Sequence, residues 1–155
     1  MKISPTWLGF AGAFSILLAS GAAAETARGL VFEDLNSNGR PDAGEPGIPG
    51  VRVSDGETVR LTDESGRYRL EIGEEAVIFI TKPSGYATPV NADQIPQFYY
   101  IHQPAGSPPM RYPGVEPTGP LPESIDFPLV AQIEPPRFEA LLLSDTQPMT
   151  DAELD

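Results

Sequence analysis

The stretch VRVSDGETVRLTDESGRYRLEI, residues Val51–Ile72, decides the fold. Its last six residues alternate strictly: Tyr68, Leu70 and Ile72 fall on one face of an extended chain, and Arg67, Arg69 and Glu71 fall on the other. Side chains along a strand point to opposite sides with a period of two, so this pattern predicts a strand with one buried and one wet face. Upstream, Val51–Ser54 and Thr58–Leu61 are β-prone runs separated by Asp55-Gly56, a favoured turn pair, which predicts a hairpin. Thr62–Gly66 supplies the next turn.

Working outward, Ala76–Thr81 (AVIFIT) is apolar on both faces and is expected in the middle of the assembly, ended by Pro83-Ser-Gly85. On the other side, Arg28–Glu33 is a short β-prone run. Four or five short strands with turns every 8 to 12 residues predict an all-β fold, a small β-sandwich.

Between the first two strands lies DLNSNGRPDAGE, residues Asp34–Glu45. Asp34, Asn36, Asn38, Asp42 and Glu45 occupy loop positions one, three, five, nine and twelve; Gly39 is at six, and Arg40 offers a backbone carbonyl at seven. This is the spacing with which a twelve-residue loop presents hard oxygens to calcium. The EF-hand itself is excluded, because Pro46-Gly-Ile-Pro49-Gly50 forbids the helix that would begin at position twelve. The alternative is a connector whose Asn and Asp side chains bond their own backbone.

Composition narrows the function classes. The chain has 155 residues with a formal net charge of −12, which disfavours nucleic acid and anionic membranes as partners. Cysteine is absent, so no disulfide braces the fold and a structural cation would be one of the few staples open to it. Lys2 followed by an uncharged run and Ala22-Ala23-Ala24 predicts a signal peptide over 1–24, cleaved after Ala24. The apolar run is too short to span a bilayer, so the expected location is secreted or periplasmic, with no membrane span after cleavage.

Residues 25–90 are thus read as the sandwich and 91–136 as an aromatic and Pro-rich extension of it. Within the extension, Phe98–His102 is an aromatic cluster expected as a strand or an extended strip. His102, the one histidine, is expected to be packed or hydrogen-bonded and not a ligand or base. Residues 104–122 hold seven prolines and are expected as an extended connector. Ser124–Val130 is expected as an edge strand, since Pro128 cannot donate to a ladder.

From Arg137 the character changes again. FEALLLSDTQP is apolar on both faces of a strand, as in parallel α/β sheets, whose functional side chains gather at strand C-termini. Asp145 and Gln147 take that position, and Thr150–Glu153 fits a capping box. Residues 137–155 are therefore expected to begin a second, incomplete domain.

The acidic loop, the DGETVRLTDESGRYRL run and the VIFI strand together resemble prealbumin-like sandwich modules of secreted proteins, among them carboxypeptidase-regulatory-like domains and the calcium-binding B repeats of bacterial adhesins. That resemblance implies a structural Ca²⁺ on Asp34, Asn36, Asn38, Asp42 and Glu45. With FYYIHQPAGSP, PTGPLPESIDFPL and FEALLLSDTQP added, the whole mature order is similar to the N-terminal region of secreted bacterial calcineurin-like metallophosphoesterases. The resemblance implies a non-catalytic domain whose partner is its own C-terminal phosphoesterase domain. In that superfamily the first catalytic strand ends in Asp-x-His, two metal ligands; Asp145 matches the Asp, and Gln147 departs from the His. Divalent transition metals there activate water for phosphate-ester hydrolysis. The later Gly-Asp-x-x-Asp, Gly-Asn-His and Gly-His-x-His motifs do not occur in these 155 residues, so this chain alone is expected to be inactive. The competing functional reading is a free-standing calcium-stabilised adhesion or carbohydrate-contacting sandwich; a peptidase-associated regulatory module is a third.

Overall fold

A computed structural model describes residues 25–140; the predicted signal peptide, Asp145, Gln147 and the expected helix cap lie outside the described residues. Eight strands and no helix make up the described chain: β1 (Glu25–Glu33), β2 (Arg52–Ser54), β3 (Val59–Leu61), β4 (Arg67–Ile72), β5 (Ala76–Thr81), β6 (Tyr86–Ala87), β7 (Tyr99–His102) and β8 (Phe127–Ala131). They form two four-stranded sheets, one in the order β4-β1-β8-β6 and the other β3-β2-β5-β7. The fold is all-β, a small β-sandwich.

Strand β4 behaves as its alternation requires: Tyr68, Leu70 and Ile72 are buried and Arg67, Arg69 and Glu71 are exposed. Its inward side chains join Ala27 and Val31 of β1, Phe127 and Leu129 of β8, and Val53, Ile78 and Ile80 of the opposite sheet in one apolar cluster. Burying such side chains stabilises by about 1.5–3 kcal/mol each before chain entropy is charged against it. The β2–β3 hairpin forms as expected, with Ser54 paired to Val59 around a turn in which the Asp55 carboxylate accepts the N–H groups of Glu57 and Thr58.

Strand β1 is longer than the sequence suggests and serves two partners. Its first part, Glu25–Leu30, pairs antiparallel with β4; Val31–Glu33 pairs parallel with β8. Just before the switch, at Gly29, a Cβ would sit 1.9 Å from the Ile125 carbonyl oxygen, so only glycine lets the segment leading into β8 pass this close.

Three expectations are corrected. The strand around Pro128 is not an edge: β8 lies between β1 and β6. Proline is tolerated because β6 reaches only Val130 and Ala131, while the Leu129 carbonyl faces β1 and accepts from Asp34 N–H at 2.8 Å. Residues of a parallel strand address alternate sides, so the N–H that Pro128 lacks would face a stretch where no strand asks for it. Strand β5 is interior to its sheet, between β2 and β7, but only one face is covered: Ile78 and Ile80 are buried, whereas Val77 is 44% exposed. Residues 104–122 do not run as an extended connector. Gln103 and Thr118 hold each other through two bonds, Gln103 N–H to Thr118 Oγ1 at 2.9 Å and Thr118 N–H to the Gln103 carbonyl at 3.1 Å. Ser107 N–H also bonds the Val115 carbonyl, so the Pro-rich segment closes on itself as a loop.

Segment 91–136 therefore supplies a strand to each sheet, β7 and β8. Past β8 the chain is pinned by Glu134, whose carboxylate accepts from Lys82 Nζ and Ser84 Oγ. Of the strand expected from Arg137, only 137–140 are described; they carry no regular structure and are exposed, Phe138 at 84%. Among the described residues no neighbouring strand pairs with them to bury an apolar face.

Candidate functional site

The loop Asp34–Glu45 leaves β1 and returns through a closed neck: Glu33 N–H bonds the Pro46 carbonyl at 2.9 Å and Phe32 bridges Gly47. Asp34, at the neck, is 2% exposed; the residues after it are solvated. The sharp reversal predicted at position six is present, since Gly39 has φ 73, a conformation that costs other residues energy.

Of the five candidate side chains, Asn36, Asn38 and Asp42 are joined directly, while Asp34 and Glu45 bond backbone N–H groups of the loop. Asp34 Oδ2 accepts from Gly39 N–H at 2.7 Å and Oδ1 from Asn38 N–H at 3.2 Å. Asp42 Oδ2 accepts from both amides, Asn36 Nδ2 at 2.8 Å and Asn38 Nδ2 at 2.7 Å, and these bonds hold its carboxyl below the ordinary range. Glu45 spans the loop, accepting from Leu35 N–H at 3.0 Å and Asp42 N–H at 2.9 Å. The Asn38 amide oxygen accepts from Arg40 N–H at 2.8 Å. The donor set is chemically suited to calcium, being made of hard oxygens. Its arrangement is that of interlocked Asx turns, and among the described residues no three His, Cys, Asp or Glu side chains are grouped so as to hold a metal. A cation at this loop has to compete with N–H donors that already satisfy the carboxylates.

His102 is packed, as expected, but not hydrogen-bonded. It closes β7 at 1% exposure, and neither ring nitrogen has a hydrogen-bond partner; Glu25 Oε2 stands 3.6 Å from Nε2. That Glu25 reaches it was not legible, because the contact joins β1 to β7 across the chain.

The outer faces of the two sheets differ in kind. On the β4–β1 sheet the exposed positions include Arg28, Arg67, Arg69 and Glu71. On the other sheet they include more apolar side chains: Val59 and Leu61 of β3, Val77 of β5 and Tyr99 of β7 are 54%, 60%, 44% and 40% exposed, with Arg52 of β2 and Thr81 of β5 exposed on the same face. Single exposed hydrophobes are ordinary; four on one face, interrupted by Arg52 and Thr81, make a mixed surface suited to contact. Sequence reading missed it because each of these strands was expected to be covered or alternating.

Comparison with known proteins places this geometry in a family. A family model described as the N terminal of calcineurin-like phosphoesterase matches residues 35–112, which takes in the acidic loop after Asp34 and strands β2 to β7. A curated relative, Colossin-A of Dictyostelium discoideum, is 43% identical over 54 residues, 33% of this chain. The aligned part is a sliver of that far longer protein, 0% of its length when rounded. No solved structure matches the chain. Because the matched residues carry both the loop and the core strands of the second sheet, the chain belongs to the family of N-terminal domains of calcineurin-like phosphoesterases.

Proposed function

We propose that the chain is the non-catalytic N-terminal sandwich of an exported calcineurin-like metallophosphoesterase, a phosphate-ester hydrolase whose catalytic domain follows it. The observation that carries this reading is the family match, which falls on the sandwich itself. Two features support it. The outer face of the β3-β2-β5-β7 sheet, with Val59, Leu61, Val77 and Tyr99 exposed on it, offers a surface for a domain to pack on, and the Glu134 anchor holds the outgoing chain beside Lys82 and Ser84, next to the end of β5. The work of the module is architectural: it docks the domain that begins at residue 137, whose first metal ligands would be Asp145 and Gln147. The match favours this reading over a free-standing adhesion module. Export rests on the charge and hydropathy pattern of residues 1–24.

The acidic loop is proposed as a structural staple that takes Ca²⁺ on Asp34, Asn36, Asn38, Asp42 and Glu45 and tunes stability, not catalysis. The support is the calcium-type spacing of oxygen-bearing side chains from Asp34 to Glu45.

The test is hydrolysis of a generic phosphomonoester and phosphodiester with added divalent metals. The 155-residue chain is expected to show none, and the same chain extended by its downstream coding sequence is expected to be active. Metal-dependent turnover by the 155-residue chain overturns the reading.

A further inference from the structure

The chain has 10 basic and 22 acidic residues, yet four of the ten, Arg28, Arg60, Arg67 and Arg69, line one groove of about 480 Å³. The groove lies where β3, the edge of one sheet, meets β4, the edge of the other. Register fixes three of them tightly. Arg28 and Arg69 are directly opposed across β1 and β4, and Arg67, opposite Leu30, is the next outward residue along β4. Directly opposed side chains stand about 4.5–5.5 Å apart at Cβ, and diagonal neighbours about 7–8 Å.

Like charges so placed destabilise a sheet unless something offsets them. The chain offsets them only weakly: among the described residues the Lys/Arg–carboxylate pair is Lys82–Glu134, which none of the four arginines joins, and Asp63 attracts Arg67 without forming such a pair. Two acids share the groove. Asp63 holds its own turn, its Oδ1 accepting from Ser65 N–H, Ser65 Oγ and Arg67 N–H; Glu123 also lines the groove, beside Ser124. Solubility does not call for this cluster either, since the surplus charge that keeps the chain apart from its copies is negative.

We infer that this groove binds a ligand carrying two or more linked phosphate groups. Guanidinium presents a planar fork of N–H donors that matches phosphate oxygens two at a time. The four arginines come from three strands and both sheets, so they suit a chain of phosphates better than a single ion. The inference stands on the sandwich alone and not on the hydrolase reading; beside a phosphoesterase domain, such a groove would hold phosphorylated substrate outside the catalytic centre.

The experiment is calorimetric titration of tripolyphosphate into the 155-residue chain in metal-free, low-salt buffer, with sulfate at matched ionic strength as comparator. Saturable binding is expected. The Arg28→Glu/Arg69→Glu pair should weaken it by roughly tenfold or more, from the loss of two charge-assisted contacts. Arg52→Glu, the same change on the other sheet, should alter it by less than about twofold, the residual effect of a distant, screened charge. The neutral pair Arg28→Gln/Arg69→Gln serves as a folding control: it should also weaken binding while raising the thermal midpoint without ligand, because it relieves the opposed charges. Absence of saturable binding, an equal loss in Arg52→Glu, or equal affinity for sulfate overturns the assignment.

Discussion

Leu129→Ala asks whether the sandwich is closed by a segment that its sequence marks only as an extension and an edge strand. Leu129 is fully buried in β8, in the cluster it shares with Val31, Phe127 and Ile78. Truncation to Ala removes three carbons from close packing and leaves a cavity that the flanking strands, tied by β1–β8 and β6–β8 bonds, cannot collapse into. Such changes cost about 2–5 kcal/mol. Against a total of roughly 5–15 kcal/mol for a domain, that is a large share. The thermal midpoint should fall by at least about 8 °C, taking roughly 4 °C for each kcal/mol in a domain of about 100 residues. Ile133 supplies the control: four residues on, it is 97% exposed, and Ile133→Ala should stay within about 0.5 kcal/mol of wild type. Urea unfolding followed by far-UV circular dichroism reads both. If Leu129→Ala unfolds within about 0.5 kcal/mol of wild type, β8 is not part of the core and the strand order β4-β1-β8-β6 is wrong.

Tyr68→Phe should cost about 1–3 kcal/mol in the same assay, because it leaves the buried Ile125 carbonyl without the 2.8 Å bond from the phenol; a neutral result would mean that water reaches that oxygen. Glu134 is held by Lys82, then Ser84 and Gly85, at a pKa of about 2 against an ordinary 4.5. A folded pKa below the unfolded one gives stability that is present above the ordinary value and lost as pH falls through the folded one. The midpoint gap between wild type and Glu134→Gln should therefore be small at neutral pH, shrink with salt, and close between about pH 4.5 and 2; a gap that persists at pH 2 contradicts it. Calcium should raise the thermal midpoint and chelator lower it, with Asp34→Ala abolishing the effect; an unchanged wild-type midpoint leaves the loop as Asx turns alone.

What could be read in advance was whatever is local. The alternation Arg67–Ile72 specifies both strand and face, and Asp55-Gly56 announces its turn, because period and turn chemistry act over a few residues. Gly39 likewise marked the reversal of the acidic loop, where Asn36 and Asn38 bond Asp42 through their amide nitrogens. What stayed hidden is non-local. Pairing of Val31 with Phe127 joins segments far apart in sequence, and the proline that marked 128 as an edge is accommodated by the shortness of β6, which no pattern in β8 reveals. The direction in which each loop oxygen is used was also hidden, since spacing names the donors but not whether N–H groups already occupy them. The arginine groove draws on positions 28, 60, 67 and 69; only the last two could have been flagged, as two positive charges side by side on a wet face of an acidic chain.

That this sandwich precedes a phosphoesterase domain is tested most directly by reading the coding sequence beyond Asp155. The predicted result is an open frame carrying Gly-Asp-x-x-Asp, Gly-Asn-His and Gly-His-x-His in that order, the ligand-bearing motifs that would complete a site begun at Asp145 and Gln147. A frame that runs on without them contradicts it.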